Sequence, residues 1–262
     1  NLGDLSPRAA DTLKRVAVVA AEDTRHSKPL LQHAGSHAEL ISFHEHSSDR
    51  ALERILRILT DGRDVAFITD AGTPVISDPG VALVAGARER GIQVVTVPGP
   101  TAVAASLSVS GIGGDRYLFL GFLPRKGSDR RRFLLTAAQS EWTVVIFEAP
   151  NRVTQLLADL AQVCGPERQA AVSRELTKVF EETRAGTLQE LSEHYAEAPA
   201  RGEVTVVLSG TGKQHVEEPP PDPGERAKAL LAEGLSRKDV AHRLAEETGI
   251  SRNAAYRLVS EL

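Results

Sequence analysis

Short apolar runs alternate with amphipathic stretches along most of the chain. The run at 65–68 has the length of a buried strand, whereas residues 50–60 repeat apolar side chains with the spacing of one helix face. Such alternation with short connections is typical of parallel sheets covered by helices, so we predict an α/β fold. The predicted strands are 16–20, 40–43, 65–68, 93–97, 117–122, 143–147, 169–172 and 204–208, and the predicted helices include 50–60, 81–89, 101–108 and 152–163.

Two breaks divide this pattern. The glycine-rich segment at 111–114 separates two α/β halves of similar length, and residues 217–221 (Glu-Glu-Pro-Pro-Pro) are typical of an extended linker. We therefore expect two α/β domains at 1–112 and 113–212 with mostly parallel sheets and a cleft between them, a linker at 213–224 and a helical tail at 225–262. In the tail, Gly249 and Ser251 have helix-turn-helix spacing, with Arg252 and Arg257 on the second helix. The alternative is a helical hairpin that packs on a partner.

Composition limits the classes of function. The 262 residues carry a formal net charge of −4, so any contact with nucleic acid must come from a local basic patch. The single cysteine, Cys164, cannot form an internal disulfide, and no run approaches the length of a membrane span. These features predict a cytoplasmic protein that does not insert into membranes. Asn1-Leu2-Gly3-Asp4 leads directly to Ser6-Pro7, a good helix start, and we expect that a preceding first strand is absent from this sequence.

The segment Asp70–Gly80 follows the predicted strand at 65–68 and contains small residues, two prolines and two carboxylates. Gly72 allows a ligand to approach the backbone closely, and Pro74 stiffens the loop. The segment 97–102 is a second Gly/Pro loop, in which Thr101 is placed to cap a helix. Either loop alone is an ordinary turn; together at the carboxyl ends of strands they predict a small-molecule cleft.

Charged groups follow other predicted strands. Residues 21–26 include Asp23, Arg25 and His26. The Arg25 guanidinium could bind a phosphate or carboxylate, and His26 could either cap a helix or transfer a proton. The alternative is a solvated loop with local charge pairs. The histidines of His44-Glu45-His46 lack further ligands, so we predict no metal site.

A basic run follows the strand predicted at 117–122. It is the best candidate in this acidic chain for contacts with RNA phosphates, although an ordinary solvated helix start has the same composition. The basic residues are Arg125, Lys126, Arg130, Arg131 and Arg132.

Taken together, these segments resemble the bacterial ribosomal RNA small-subunit methyltransferase I family of the tetrapyrrole methylase-like superfamily. The resemblance covers essentially the whole chain. The matching blocks are Asn1-Leu2-Gly3-Asp4, residues 21–26, 70–80 and 98–102, Phe119 to Lys126, and Arg174-Glu175-Leu176-Thr177-Lys178. Two departures are the absence of the family's first strand and Thr-Pro-Ile-Gly loop, and Asn151 where the family usually has a histidine.

The resemblance implies a methyltransferase that uses S-adenosylmethionine. It implies methylation of a cytidine ribose 2′-hydroxyl (cytidine-1402) in the decoding region of 16S rRNA, within the small ribosomal subunit, by a homodimer. The implied cofactor-binding residues are Thr73, Ile76, Thr101, Ala102, Phe147 and Val204, beside the loop residues Gly72 and Pro74. Candidates for the general base are Asp23, His26, Glu175 and Lys178, whereas Arg25 and Arg174 are assigned to RNA phosphates.

Two other functions are compatible with parts of the sequence. A precorrin- or diphthine-type methylase of the same superfamily typically carries Gly-Asp-Pro in the loop, where this chain has Gly72-Thr73-Pro74, and lacks the helical tail. A helix-turn-helix regulator without enzymatic activity would show no donor-dependent labelling of RNA.

Overall fold

The computed structural model describes residues 1–211, 222–233, 235–248 and 250–260. The chain forms two compact units, Asn1–Thr211 and Gly212–Leu262. The first unit contains two β-sheets. Its division into domains at residue 112 remains a prediction.

The first sheet contains three parallel strands in the order β2-β1-β3. The central strand β1 is wholly buried, and one helix layer packs against it through Ile55, Leu56 and Leu83, beside Phe43 at the end of β2. Polar residues begin where β1 and β3 end, which places their loops at one edge of the sheet. The elements are α1 (Pro7–Arg15), β1 (Val18–Ala21), α2 (Thr24–Ala34), β2 (Glu39–Ser42), α3 (Asp49–Thr60), β3 (Val65–Ile68) and α4 (Val81–Glu89).

The second sheet contains five strands in the order β4-β5-β8-β6-β7. Successive residues of its strands face opposite sides of the sheet, and both sides are buried. Val144 and Ile146 pack in a core with helices α6, α7 and α8, whereas Val145 packs in a smaller cluster with α5. The elements are α5 (Ala102–Ser110), β4 (Tyr117–Phe122), α6 (Gly127–Gln139), β5 (Thr143–Glu148), α7 (Val153–Cys164), β6 (Gln169–Arg174), β7 (Glu182–Thr187), α8 (Leu188–Glu197) and β8 (Val204–Leu208).

The predicted α/β class is confirmed, with one difference in strand direction. Only β4 and β5 pair in parallel in the second sheet, whereas β8 pairs antiparallel with both β5 and β6, and β6 pairs antiparallel with β7. A buried strand has the same apolar pattern in either direction, so alternation with helices does not fix how a strand pairs.

Two strand predictions were wrong. Residues 93–97 form no strand, and their apolar side chains are exposed, with Val95 at 68%. Within the described residues no strand pairs with the outer edge of β3, so this segment has no partner with which to form a ladder. Strand β7 was missed because Glu182–Thr187 carries no large apolar side chain.

The second unit contains three helices in its described residues: α9 (Pro223–Ala232), α10 (Arg237–Thr248) and α11 (Arg252–Ser260). They share a core of Leu230, Val240, Leu244 and Val259. The Ser251 hydroxyl accepts a hydrogen bond from the backbone amide of Ala254, 3.3 Å away, as expected of a helix cap. The predicted turn residue Gly249 and the linker up to residue 221 lie outside the described residues. None of the helices described is long and apolar enough to span a bilayer.

Candidate functional site

Backbone strain marks two loops. Among the described residues, the non-glycine residues with positive φ are Val75, Ser77, Glu175 and Thr177. Such conformations cost about 1–3 kcal/mol each and cluster at functional sites, where the surroundings hold them in place. The first pair lies in the loop 70–80 and the second in the loop 174–178, both of which the sequence singles out.

The loop 70–80 is shaped by its two glycines. Gly80 has a φ of +127°, and a Cβ there would collide with the Phe67 ring, so only glycine fits. Gly72 has a φ of +72° but faces open space, which leaves its backbone accessible to a ligand. The Thr73 hydroxyl lies 3.4 Å from the carbonyl oxygen of Pro100, so the two predicted cofactor loops meet.

The same loop also lies against the second sheet. Ser77 Oγ lies 3.1 Å from the position of a Cβ built on Gly121, at the irregularity of β4. Helix α5 packs on one face of this sheet through Val103. Thr101 precedes α5 but makes no side-chain cap bond, contrary to prediction, so the first-turn N–H groups of α5 remain available for a ligand.

The second sheet places two of the predicted cofactor residues, Phe147 and Val204, on opposite faces. Phe147 borders the cluster beneath α5 and contacts Phe119 and Phe122 edge-on, with centroids 4.8 and 5.6 Å away. Val204 is 4% exposed and belongs to the core on the other face. The Val204 side chain is thus turned away from α5, and the assignment of Val204 to the cofactor stays a prediction, as do those of Phe147, Ile76 and Ala102.

A histidine and carboxylates meet where β1 and β3 end. His26 Nδ1 lies 3.2 Å from Asp70 Oδ2, and the His26 side chain is 70% exposed. Glu22 Oε2 accepts hydrogen bonds from the Thr69 hydroxyl at 2.7 Å and from the Asp70 amide at 3.3 Å. Glu22 thus fixes the segment that carries Asp70, and Asp70 orients an imidazole whose remaining nitrogen reaches solvent. This arrangement suits a general base.

Asp23, another predicted base, has a structural role. Its carboxylate accepts hydrogen bonds from the Arg25 amide at 2.8 Å and from the Arg25 guanidinium at 2.6 Å. These bonds hold the pKa of Asp23 well below its usual range, so it is a weak proton acceptor. The Arg25 side chain is 84% exposed, which leaves it accessible to a phosphate.

Glu175 and Lys178 form a charge network with Glu203. Lys178 Nζ lies 3.0 Å from both carboxylates, and Glu175 also accepts the Glu203 amide at 3.0 Å. The hydrogen bonds from the Glu203 amide and Lys178 lower the pKa of Glu175. Burial acts to lower the pKa of Lys178, but its two carboxylate partners outweigh this and raise it. Neither residue is a suitable base in this state. Arg174 Nε is bound to Glu182 at 2.6 Å.

Asp78 is a titratable residue that the sequence analysis did not select. Burial, together with the negative charge of Glu22, raises the pKa of Asp78 to about 6. Glu203 also raises this pKa, so the carboxylates of the loop 70–80 and of the segment before β8 influence one another. In the sequence, Asp78 was marked as a candidate only by its position in the loop 70–80.

The basic run divides into exposed and buried members. Arg125, Lys126, Arg131 and Arg132 are exposed and accessible to RNA. Arg130 is buried: its guanidinium binds Asp159 at 2.7 and 2.9 Å and the Pro124 carbonyl at 3.1 Å. The Arg130 guanidinium is therefore held inside the protein by these bonds, and its assignment to RNA stays a prediction.

The site has the features that a nucleoside with a charged amino-acid tail requires. It combines accessible loop backbone at Gly72, the uncapped start of α5 and the partly exposed aromatic ring of Phe147. Within the described residues no group of three or more His, Cys, Asp or Glu side chains is arranged to hold a metal.

Solved structures share this fold. A diphthine synthase superposes with a TM-score of 0.61 at 12% identity, over 80% of this chain and 86% of that one. A cobalt precorrin-4 methyltransferase has a TM-score of 0.60 at 17% identity, over 80% and 90%. Uroporphyrin-III C-methyltransferase from Thermus thermophilus, solved with S-adenosyl homocysteine, has a TM-score of 0.56 at 18% identity, over 79% and 91%.

Sequence comparisons define the class more closely. Residues 1–192 match the Tetrapyrrole (Corrin/Porphyrin) Methylases. Proteins named ribosomal RNA small subunit methyltransferase I are 41% identical in Synechocystis, over 100% of this chain and 94% of theirs, and 44% identical in Xylella fastidiosa, over 98% and 94%.

The chain is thus a tetrapyrrole methylase-fold methyltransferase. Enzymes of this class use S-adenosylmethionine, which confirms the predicted cofactor. Within the class, the chain belongs to the ribosomal RNA small subunit methyltransferase I family, as its sequence predicted.

Proposed function

We propose that this chain methylates 16S ribosomal RNA, and that it transfers the methyl group of S-adenosylmethionine to the ribose 2′-hydroxyl of cytidine-1402 in the decoding region. The observation that carries the proposal is the extent of the family match. Relatives named for ribosomal RNA methylation align over 98–100% of the chain, including the helical tail, at 41–44% identity. The tetrapyrrole and diphthine enzymes are similar in fold but only 12–21% identical.

The residues of the first unit support donor binding in the cleft. Gly72 and Thr73 offer backbone at the carboxyl end of β3, and the uncapped start of α5 at Ala102 suits a carboxylate. Phe147 and the 43%-exposed Ile76 offer apolar surface for a base. When bound, S-adenosylmethionine supplies an electrophilic methyl group. The protein must then align the hydroxyl and accept its proton.

His26 is the base in this proposal. The tautomer with a proton on Nδ1 donates to Asp70 Oδ2, 3.2 Å away, and leaves Nε2 as a proton acceptor. An exposed ring held by one carboxylate is accessible to a ribose on a large substrate. A positioned base contributes about 10²- to 10⁴-fold to the rate.

The partners follow from the same reasoning. Exposed basic side chains at Arg25, Lys126, Arg131 and Arg132 supply phosphate contacts on a chain whose net charge is −4. We propose that the substrate is the assembled small subunit, because structured RNA is recognised largely by shape. We also propose that the enzyme acts as a homodimer in the cytoplasm.

The test is transfer of a labelled methyl group from S-adenosylmethionine to small subunits isolated from cells that lack the family's enzyme. The expected result is one label per subunit, recovered as 2′-O-methylcytidine at the decoding site. Label on a base, or at another nucleotide, would overturn the assigned target. No label on RNA, with transfer to a tetrapyrrole instead, would overturn the function.

A further inference from the structure

A cavity of about 410 Å³ lies outside the cofactor loops, where β4 and β5 end. Its lining contains three guanidinium groups and two side-chain amides but no carboxylate, a composition that suits an anion with several oxygen atoms. The lining residues are Arg125, Arg130, Ala149, Asn151, Arg152 and Gln155.

Two of the arginines are held in place by the protein. Arg130 binds Asp159 and the Pro124 carbonyl, and thereby joins α6 to α7. Arg152 Nε lies 3.1 Å from Glu148 Oε1, and its Nη2 donates to the Leu123 carbonyl at 2.7 Å. The Glu148 side chain is fully buried. The cavity wall is therefore built before any ligand arrives, which lowers the entropic cost of binding.

Other groups at the cavity are free to bind. Within the described part of the chain, the side chains of Arg125 and Asn151 make no hydrogen bond or ion pair, and Arg125 is exposed. Helices α6 and α7 begin beside the cavity, and their N-cap residues, Lys126 and Arg152, provide no side-chain cap bond. The positive ends of both helix dipoles thus add to the charge of the arginines.

Strand register places the cavity at the edge of the sheet that carries the charge network. The end of β5 at Phe147 pairs with Thr205 at the start of β8, which pairs with Ser173 at the end of β6. Adjacent strands lie about 5 Å apart, so the cavity and the loop 174–178 are separated by roughly 10 Å along this edge. An RNA strand covers that distance in a few nucleotides.

We propose that this cavity holds a backbone phosphate of the substrate RNA. Arg125 supplies the charged contact and Asn151 an amide donor, while Arg130 acts as a positioning residue. The inference rests on the proposed function for the identity of the RNA. The site itself is a phosphodiester pocket formed by the starts of α6 and α7.

Salt-dependent binding of small subunits lacking the modification tests the pocket without requiring catalysis. Arg125→Ala removes the free cation, and Asn151→Asp places a carboxylate in the lining. Arg63→Ala is the matched control, because Arg63 is exposed and precedes β3, away from the loops at the other edge of that sheet. Removing one cation that neutralises a single-stranded phosphate reduces the slope of log K against log salt by about 0.7.

We expect Arg125→Ala to reduce this slope by about 0.7 and to weaken binding about tenfold. Asn151→Asp should weaken binding at least as much, and Arg63→Ala should leave both the affinity and the slope as in the wild type. Equal slopes in all four proteins would overturn the pocket even if the wild type methylates RNA. Weaker binding of inorganic phosphate alone, with RNA binding intact, would also overturn it. A wild type that binds RNA with the expected slopes but transfers no methyl group would instead refute the proposed function.

Discussion

His26 Nδ1 lies 3.2 Å from Asp70 Oδ2, although the two residues are 44 positions apart in the chain. The contact forms because β1 and β3 are neighbours in the sheet, with Ala21 in register with Ile68. A carboxylate that orients an exposed imidazole is a common arrangement for proton transfer.

His26→Ala is therefore expected to lower kcat for methyl transfer by about 10²- to 10⁴-fold, with little effect on donor affinity. Asp70→Asn removes the orienting charge and should lower kcat at least about tenfold. His37→Ala, at an exposed histidine after α2, is the control. If His26→Ala retains kcat within about threefold of the control, the base lies elsewhere.

The sequence was sufficient to place the individual parts of this site but not their pairing. Residues 21–26 and 70–80 were both assigned to strand ends, which is where the structure has them. Which strands are adjacent depends on tertiary packing, so the His26–Asp70 contact could not be read from the pattern. The raised pKa of Asp78 arises first from burial and then from the charges of Glu22 and Glu203, which come from distant segments, and it was missed for the same reason.

Asp78→Asn is expected to make stability less dependent on pH. The pKa of Asp78 is about 6 in the folded protein and about 3.9 in an unfolded chain, so the folded state binds its proton more tightly. Protonated Asp78 therefore stabilises the folded state fully below about pH 4, and this stabilisation is lost as the pH rises through about 6. Above about pH 7, the free energy of unfolding of Asp78→Asn should therefore exceed that of the wild type by about 1–2 kcal/mol. Urea denaturation measures this difference as a higher midpoint concentration.

The control for this comparison is Asp64→Asn, at an exposed residue before β3. The difference between Asp78→Asn and wild type should shrink as the pH falls from about 8 to about 4, while Asp64→Asn follows the wild type throughout. A difference that is constant with pH would show that Asp78 titrates normally.

In the loop 70–80, Gly80 is required for packing, whereas Gly72 is expected to be required for ligand binding. Both have positive φ, but only Gly80 would place a Cβ in contact with Phe67. Gly80→Ala should destabilise the protein by about 3 kcal/mol or more, whereas Gly72→Ala should cost about 1–2 kcal/mol. Gly72→Ala also adds a methyl group to the open side of the loop, so calorimetry should show weaker binding of S-adenosylmethionine. Equal stability of the two variants would contradict the packing of Gly80.

Arg130 shows how a charge run conceals a core position. Leu134 and Ala137, four and seven residues later, are buried with Arg130 on one face of α6, while Arg131 and Arg132 point to solvent. Helical periodicity therefore predicts that Arg130 is buried, but the charge of the run led us to assign Arg130 to the surface. Alternation along β8 likewise places the Val204 side chain with Val206 and Leu208 in the core.

Arg130→Met is accordingly expected to act on stability. It leaves the buried Glu148 and the half-buried Asp159 without their shared cation, and breaking a buried ion pair costs about 3–5 kcal/mol. Arg131→Met, next to it on the exposed face of α6, should change the free energy of unfolding by less than about 0.5 kcal/mol. Burial raises the pKa of Glu148, so part of the stability should be recovered at low pH, where that carboxyl is neutral. Urea denaturation of both variants at about pH 5 and about pH 8 measures these effects. If Arg130→Met is as stable as Arg131→Met at both pH values, Arg130 does not hold α6 against α7.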